Sequence, residues 1–202
     1  MTDNISQEKE KLIVDAARKR FAHYGYSKVT MDEIALDVAM GKASLYYYFP
    51  TKEKLFQVVL NQEQDEFILE MERLLDTKLS AAGKLTEFVN KRLTFFRHFL
   101  NLGTLSFHTF LDTKLFYKKF FADFESRELK LINNIIAEGK SGGEFEKKLD
   151  AKTGEVLLHL LHGLRIRTLR RLKELNMSDE TMNELQTEMN IITKIFIKGI
   201  SK

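Results

Sequence analysis

The segment from Thr30 to Lys52 reads TMDEIALDVAMGKASLYYYFPTK, and its punctuation decides the fold. Thr30 followed three residues later by Glu33 is the pattern of a capping box. The threonine oxygen accepts from the Glu33 backbone N–H while the carboxylate reaches back to the N–H of Thr30. Met31, Ile34, Ala35 and Val38 then recur at helical spacing, which predicts a short helix. Gly41 breaks it, and a second short helix is predicted from about Lys42 to Phe49. Pro50, the chain's only proline, lacks the N–H a helix needs and clashes with the preceding turn, so the second helix stops at Phe49. Thr51 is placed to cap the next one. Two short helices around a turn of about three residues outline a helix-turn-helix.

Outward from this segment the chain stays helical. Before it, Ile13, Ala16, Ala17, Phe21 and Tyr24 share one helical face, and Gly25 stands where a left-handed C-cap belongs. After it, longer helices are predicted over about 52–79, ended by SAAG, and about 84–101, ended near Gly103. A short piece at about 105–111 and a helix at about 113–138 ending in a flexible GKSGG follow. Asp150 opens a helix to about Leu175, and Ser178 caps a last one to about Ile200. The fold class is all-α with about nine helices: an N-terminal three-helix helix-turn-helix domain over residues 1–50 and a larger helical domain over 51–202.

Composition agrees and excludes several classes. Of 202 residues, 44% are apolar and 30% charged, enough for a core and for solubility. The absence of cysteine rules out a disulfide framework or a thiolate metal site. The polar opening MTDNISQEKEK has no apolar core of the kind a signal peptide needs, and no long apolar run suggests a membrane span, so a cytoplasmic protein is expected. A net charge of +3 is too small to argue for a nucleic-acid partner by itself.

The tyrosine helix carries more information. With Leu45 inward and about 100° per residue, Phe49 falls beside Leu45, whereas Ala43 and Tyr47 fall opposite, flanked by Ser44 and Tyr48 on one side and Lys42 and Tyr46 on the other. A solvated face would mix Glu with Lys; this one is small, aromatic and hydroxylated. Tyrosine hydroxyls donate to phosphates, Lys42 and Lys52 neutralise them, and Ala43 permits close approach. Packing of the tyrosines against the larger domain is the plain alternative, Tyr48 being the first candidate for it.

The stretch from Ile13 to Phe56 resembles the DNA-binding module of TetR-type (TetR/AcrR) transcriptional regulators. The likeness covers the helix-one alanines and phenylalanine, Gly25-Tyr26, the Thr30 cap, Ile34-Ala35, Lys42-Ala43-Ser44-Leu45-Tyr46 and Phe49-Pro50-Thr51-Lys52. It implies that Lys42, Ala43, Ser44, Tyr46 and Tyr47 enter the major groove, with Thr30 and Lys52 at the backbone; Thr51 and Lys52 also start a helix whose free N–H groups suit a phosphate. The turn Ala39-Met40-Gly41 departs from the family pattern, since glycine stands immediately before Lys42. With no arginine or asparagine on the outward face, bidentate base reading is scarce, and specificity is expected from Tyr and Ala contacts to thymine methyls and from DNA shape.

Residues 85–124 hold ten phenylalanines. Any one of them suits a core; together they suit an apolar cavity. The resemblance implies an effector there, and a small lipophilic ligand is expected against Phe95, Phe99, Phe110, Phe120 and Phe121, oriented by His98, His108, Tyr117 or His162. The last two helices bear apolar stripes able to close a four-helix bundle with a second copy, where the resemblance also places the homodimer contact. His159 and His162 lack the carboxylates that would complete a metal site, and no nucleophile with its base can be named, so neither a metal, a cofactor nor an enzyme is expected. The expected function is a ligand-responsive repressor released from a palindromic operator on double-stranded DNA. A DNA-binding activator or architectural protein without an effector is the alternative.

Overall fold

The computed structural model describes residues 2–102, 114–171 and 178–202, with side chains described for 5–98, 121–171 and 178–202. Eight helices are present among the described residues. They are α1 (Thr2–Tyr24), α2 (Met31–Asp37), α3 (Lys42–Tyr48), α4 (Lys52–Leu75), α5 (Ala81–Leu102), α6 (Lys114–Ser141), α7 (Thr153–Arg171) and α8 (Asp179–Ile200). The short piece expected at 105–111 lies outside the described residues.

Each small helix of the N-terminal unit ends for a local reason. Gly25 takes φ 78 and its N–H donates to Phe21 O at 2.9 Å, closing α1 in the left-handed conformation that glycine adopts without cost. The capping box of α2 forms on both sides: Thr30 Oγ1 accepts from Glu33 N at 3.3 Å, and Glu33 Oε2 accepts from Thr30 N at 2.8 Å. The turn to α3 holds a surprise. Its left-handed residue is Ala39, with φ 51, whereas Gly41 is an N-cap at φ −69 with no side-chain bond. Gly41 therefore answers no conformational demand, and Ala39 carries the strain. Thr51 Oγ1 accepts from Lys54 N at 3.1 Å and starts α4, as its position after Pro50 predicts.

Three boundaries differ from the sequence reading. SAAG does not end α4, which stops at Leu75; its two alanines and glycine already belong to α5, whose Gly83 N–H donates to the Ser80 hydroxyl at 3.1 Å. Nor is GKSGG loose. The helix α6 runs to Ser141, and the N–H groups of Glu144 and Phe145 both donate to Gly139 O, at 2.9 and 3.0 Å. Phe145, fully buried, lies so close that a Cβ on Gly139 would fall 2.2 Å from its ring. Asp150 sits ahead of α7 rather than opening it: the helix begins at Thr153, whose N–H and hydroxyl both bond to Asp150 O.

The core is continuous from the small unit into the body. Ile13, Ala17, Phe21, Ile34, Leu45 and Phe49 meet Leu55, Phe56, Val59 and Leu60 of α4, all buried. The Phe56 ring lies 5.2 Å from Phe21 and 4.6 Å from Tyr26. Burying one such ring contributes about 2–3 kcal/mol, so α4 is the floor of the small unit. Further along, α4, α5 and α6 pack on one another, α5 and α7 pack on α8, and α6 on α7. Buried charges are matched. Lys84 donates to Leu75 O at 2.6 Å and to both Glu138 oxygens, Arg92 meets Glu128, and the Glu144 carboxylate accepts from Ala81 N and Ala82 N at the start of α5.

Candidate nucleic-acid interface

Leu45 is fully buried and Phe49 nearly so, which fixes the rotation of α3 and turns the predicted face outward. Ala43 and Ser44 are exposed, Tyr47 is 82% exposed and Tyr46 39%. Large rings left in water at this level need a reason, because a tyrosine in an ordinary packed helix is half-buried. Tyr48 is half-buried against the core, and its ring meets Tyr47 edge-on at 5.4 Å, which steadies the more exposed ring. The outward surface is preformed by Leu45 and Phe49 rather than by contacts of its own.

The polar residues around this face have distinct placements. Thr30 and Thr51 are exposed at the starts of α2 and α4, their oxygens accepting from capping N–H groups; the Thr30 hydroxyl also donates to Glu33 Oε2 at 2.8 Å. Lys42 Nζ lies 2.9 Å from Asp32 Oδ2 on α2 and 6.0 Å from the Tyr46 ring centre. Lys52 behaves differently from a phosphate cation. Its ammonium donates to Tyr26 O and Val29 O, both at 2.9 Å, and sits 4.4 Å from the Tyr26 ring centre. Burial lowers its pKa, and two of its three donors serve the loop between α1 and α2. Arg20 links α1 to α2 by donating to Asp37 Oδ1 at 2.7 Å, with Glu33 Oε1 at 3.5 Å.

Of the residues expected to line an effector site, the structure places four, and one of them, His98, is exposed on α5 and paired with Glu63 of α4. Phe95 is half-buried, 4.9 Å from Phe67 and 5.3 Å from Phe124; Phe121 is buried. His162 Nδ1 stands 3.3 Å from Glu125 Oε1. Burial, followed by the charges of Arg165 and Arg92 and by His159, pushes this imidazole down to about 2, so it is neutral at physiological pH. The side chains of Phe99, His108, Phe110, Tyr117 and Phe120, also expected there, lie outside the described residues. Arg165, whose guanidinium lies 4.8 Å from the Phe96 ring centre, and the buried Arg92–Glu128 pair share this region and were missed, because residues 36 apart on different helices show no local pattern.

Among the described residues, no group of three or more His, Asp or Glu is arranged to hold a metal, and no helix is long and apolar enough to cross a membrane.

With this geometry in view, comparison with known proteins is specific. A transcriptional regulator of known structure from Cytophaga hutchinsonii ATCC 33406 is 42% identical, covers 96% of this chain and 99% of its own, and superposes with a TM-score of 0.88. The sequence profile described as bacterial regulatory proteins, tetR family, matches residues 13–59. The chain belongs to the tetR family. In this tetR-family regulator the profile spans α1 from Ile13 through the first turns of α4, the unit whose shared core was described above. The fatty acid metabolism regulator protein of Bacillus subtilis (strain 168) is 23% identical over 146 residues, 72% of this chain and 75% of that protein. The HTH-type regulator YuxN of the same organism is 38% identical over 88 residues, but the match spans 44% of this chain and only 29% of that protein. These tetR-family relatives are transcriptional regulators rather than enzymes, and this chain is one as well.

Proposed function

We propose that this tetR-family protein is a repressor that grips a palindromic operator as a homodimer and lets go when a small lipophilic molecule enters the body. The observation that carries the DNA reading is the outward face of α3, with Tyr47 and Tyr46 exposed beside Ala43 and Ser44 on a helix locked by Leu45. Residues 1–50 would form the reading head and 51–202 the effector-binding and dimerising body. Thr30, Lys42, Ala43, Ser44, Tyr46, Tyr47 and Thr51 are the proposed DNA-facing set, with Lys52 bracing the loop between α1 and α2 behind them. Two heads reading successive major grooves need a spacing of about 34–36 Å, which a dimer supplies and a monomer does not.

The proposed seam between copies is built by α7 and α8. Val156 and Leu160 on α7, and Ile191 and Ile195 on α8, are exposed large apolar side chains at helical spacing. Scattered singly they would need no explanation; aligned on two adjacent helices they fit a four-helix bundle with a second copy. The lipophilic class of the effector is supported by the ring cluster of Phe67, Phe88, Phe95 and Phe124 and by the fatty acid metabolism regulator among the relatives. Binding in the body shifts the head only if the ligand prefers one of two body conformations.

The test is selection of duplexes from a random library by the purified protein, then release of the enriched duplex by palmitate. A palindromic consensus released by the fatty acid upholds the proposal. A consensus that resists lipophilic probes favours the activator or architectural reading, and no enrichment at modest salt removes the DNA reading itself.

A further inference from the structure

The motif from Met31 to Tyr48 carries three acids, Asp32, Glu33 and Asp37, and a single cation, Lys42. That is the reverse of what phosphate attraction asks of a surface that meets DNA. Two of the acids have internal tasks. Glu33 closes the capping box, and Glu33 and Asp37 both face Arg20 of α1. Asp32 has neither task. It is exposed on the first turn of α2, and its carboxylate lies 2.9 Å from Lys42 Nζ at the start of α3. An acid suits the first turn of a helix, but Glu33 already fills that role for α2. The cations nearby that stay on the flanks, Lys28 and Lys54, are exposed, whereas Lys52 is turned inward.

We propose that Asp32 is a specificity-determining residue: by holding Lys42 in a neutral pair it withholds the motif's one cation from arbitrary phosphates and presents it to base edges instead. An ammonium has three donors. One is taken by Asp32, and two remain for acceptors in the groove, such as the O6 and N7 atoms of guanine. On a mismatched duplex the pair stays closed and contributes no net attraction. On the matched duplex Lys42 bonds to a base edge without leaving Asp32, so the matched complex keeps an interaction the others lack. The inference rests on the DNA reading above and adds to it a residue that lowers binding to the wrong DNA.

The experiment compares the wild-type protein, Asp32→Asn, Lys42→Met and the double variant. Each is titrated against the duplex consensus the wild type enriches and against a shuffled duplex of equal composition, across a salt series. Asp32→Asn should tighten the shuffled duplex by about threefold to tenfold and steepen its logarithmic salt slope by about 0.9, the value for one added phosphate contact. The consensus should tighten by less than about twofold, because Lys42 is already engaged there. Lys42→Met in the wild-type background should leave the shuffled-duplex slope nearly unchanged and weaken the consensus by about tenfold. In the Lys42→Met background, Asp32→Asn should no longer steepen the slope. Equal tightening of both duplexes by Asp32→Asn, the same steepening without Lys42, or loss of a full unit of slope in Lys42→Met would each overturn the proposal while leaving DNA binding intact. A wild-type protein that enriches no duplex overturns it together with the DNA reading.

Discussion

Glu63 of α4 holds His98 of α5 with 3.2 Å between Oε2 and Nε2, and Arg18 of α1 pairs with the same carboxylate. One side chain, 5% exposed, thereby ties three helices. Burial raises the Glu63 pKa, but the bonds and charges of His98 and Arg18 outweigh it and hold the group below its ordinary value. The Glu63 hydrogen bond in turn raises His98. A raised histidine contributes stability that is full below its unfolded pKa of about 6.5 and fades as pH climbs through the folded value, while a lowered glutamate contributes above about 4.5 and fades as pH falls through its folded value. His98→Gln should therefore lose most stability near about pH 5–6 and little in alkali, by under about 1 kcal/mol since the imidazole is half-exposed. Urea unfolding of both proteins across that range checks it; a pH-independent difference would count against the pair.

Ala39→Gly should stabilise the protein by about 0.5–1 kcal/mol, because a residue at φ 51 pays for its Cβ in the left-handed region and glycine does not. Denaturant midpoints measure it. A loss of stability would mean that the turn is held by something other than backbone preference.

Arg92 and Glu128 are both almost completely buried and bond through two contacts, at 2.5 and 2.9 Å. Removing one partner leaves the other charge stranded, so Glu128→Gln or Arg92→Met should cost about 3–5 kcal/mol. The double variant Arg92→Met with Glu128→Leu should cost less than either single change, a pattern that thermal unfolding of the set resolves.

Leu160→Asp and Ile195→Asp place charge on exposed positions of α7 and α8, so the monomer fold should survive. At the proposed seam each should abolish the dimer, halving the mass seen by light scattering and weakening consensus binding by about a hundredfold or more through lost simultaneous engagement. Dimers that persist in both variants would move the seam elsewhere.

Lys52→Met removes a clamp on Tyr26 O and Val29 O, leaving both carbonyls short of a donor. It should lower stability by about 1–3 kcal/mol while reducing the logarithmic salt slope of DNA binding by well under one unit. A stable variant with a full unit lost from the slope would show Lys52 acting as a phosphate contact instead.

Local chemistry made much of the head legible in the sequence. The Thr30–Glu33 box, the Gly25 cap, the Thr51 cap after Pro50 and the inward pair Leu45 and Phe49 are contests between neighbours within four residues, and each is settled as the spacing implies. The turn before α3 was harder, because a glycine in print suggests a glycine conformation, and here Ala39 adopts it two residues earlier. The roles of Lys52 and Asp32 were invisible for a different reason. Their partners, Val29 and Tyr26 for one and Lys42 for the other, become neighbours only after α1, α2 and α3 have folded against α4. The same holds for Arg18, Glu63 and His98, drawn from three helices.

Phe56 beneath the head and Lys52 within its loop mean that the first turns of α4 move with the reading surface as one solid piece. With 24 residues, α4 measures about 36 Å, so a tilt of roughly five degrees about its far end would displace α3 by about 3 Å. In a two-headed clamp such a swing on each side is comparable to the step between successive base pairs. In the proposed dimer, a lever of that length would let a slight swelling deep in the trunk unseat both ends at once.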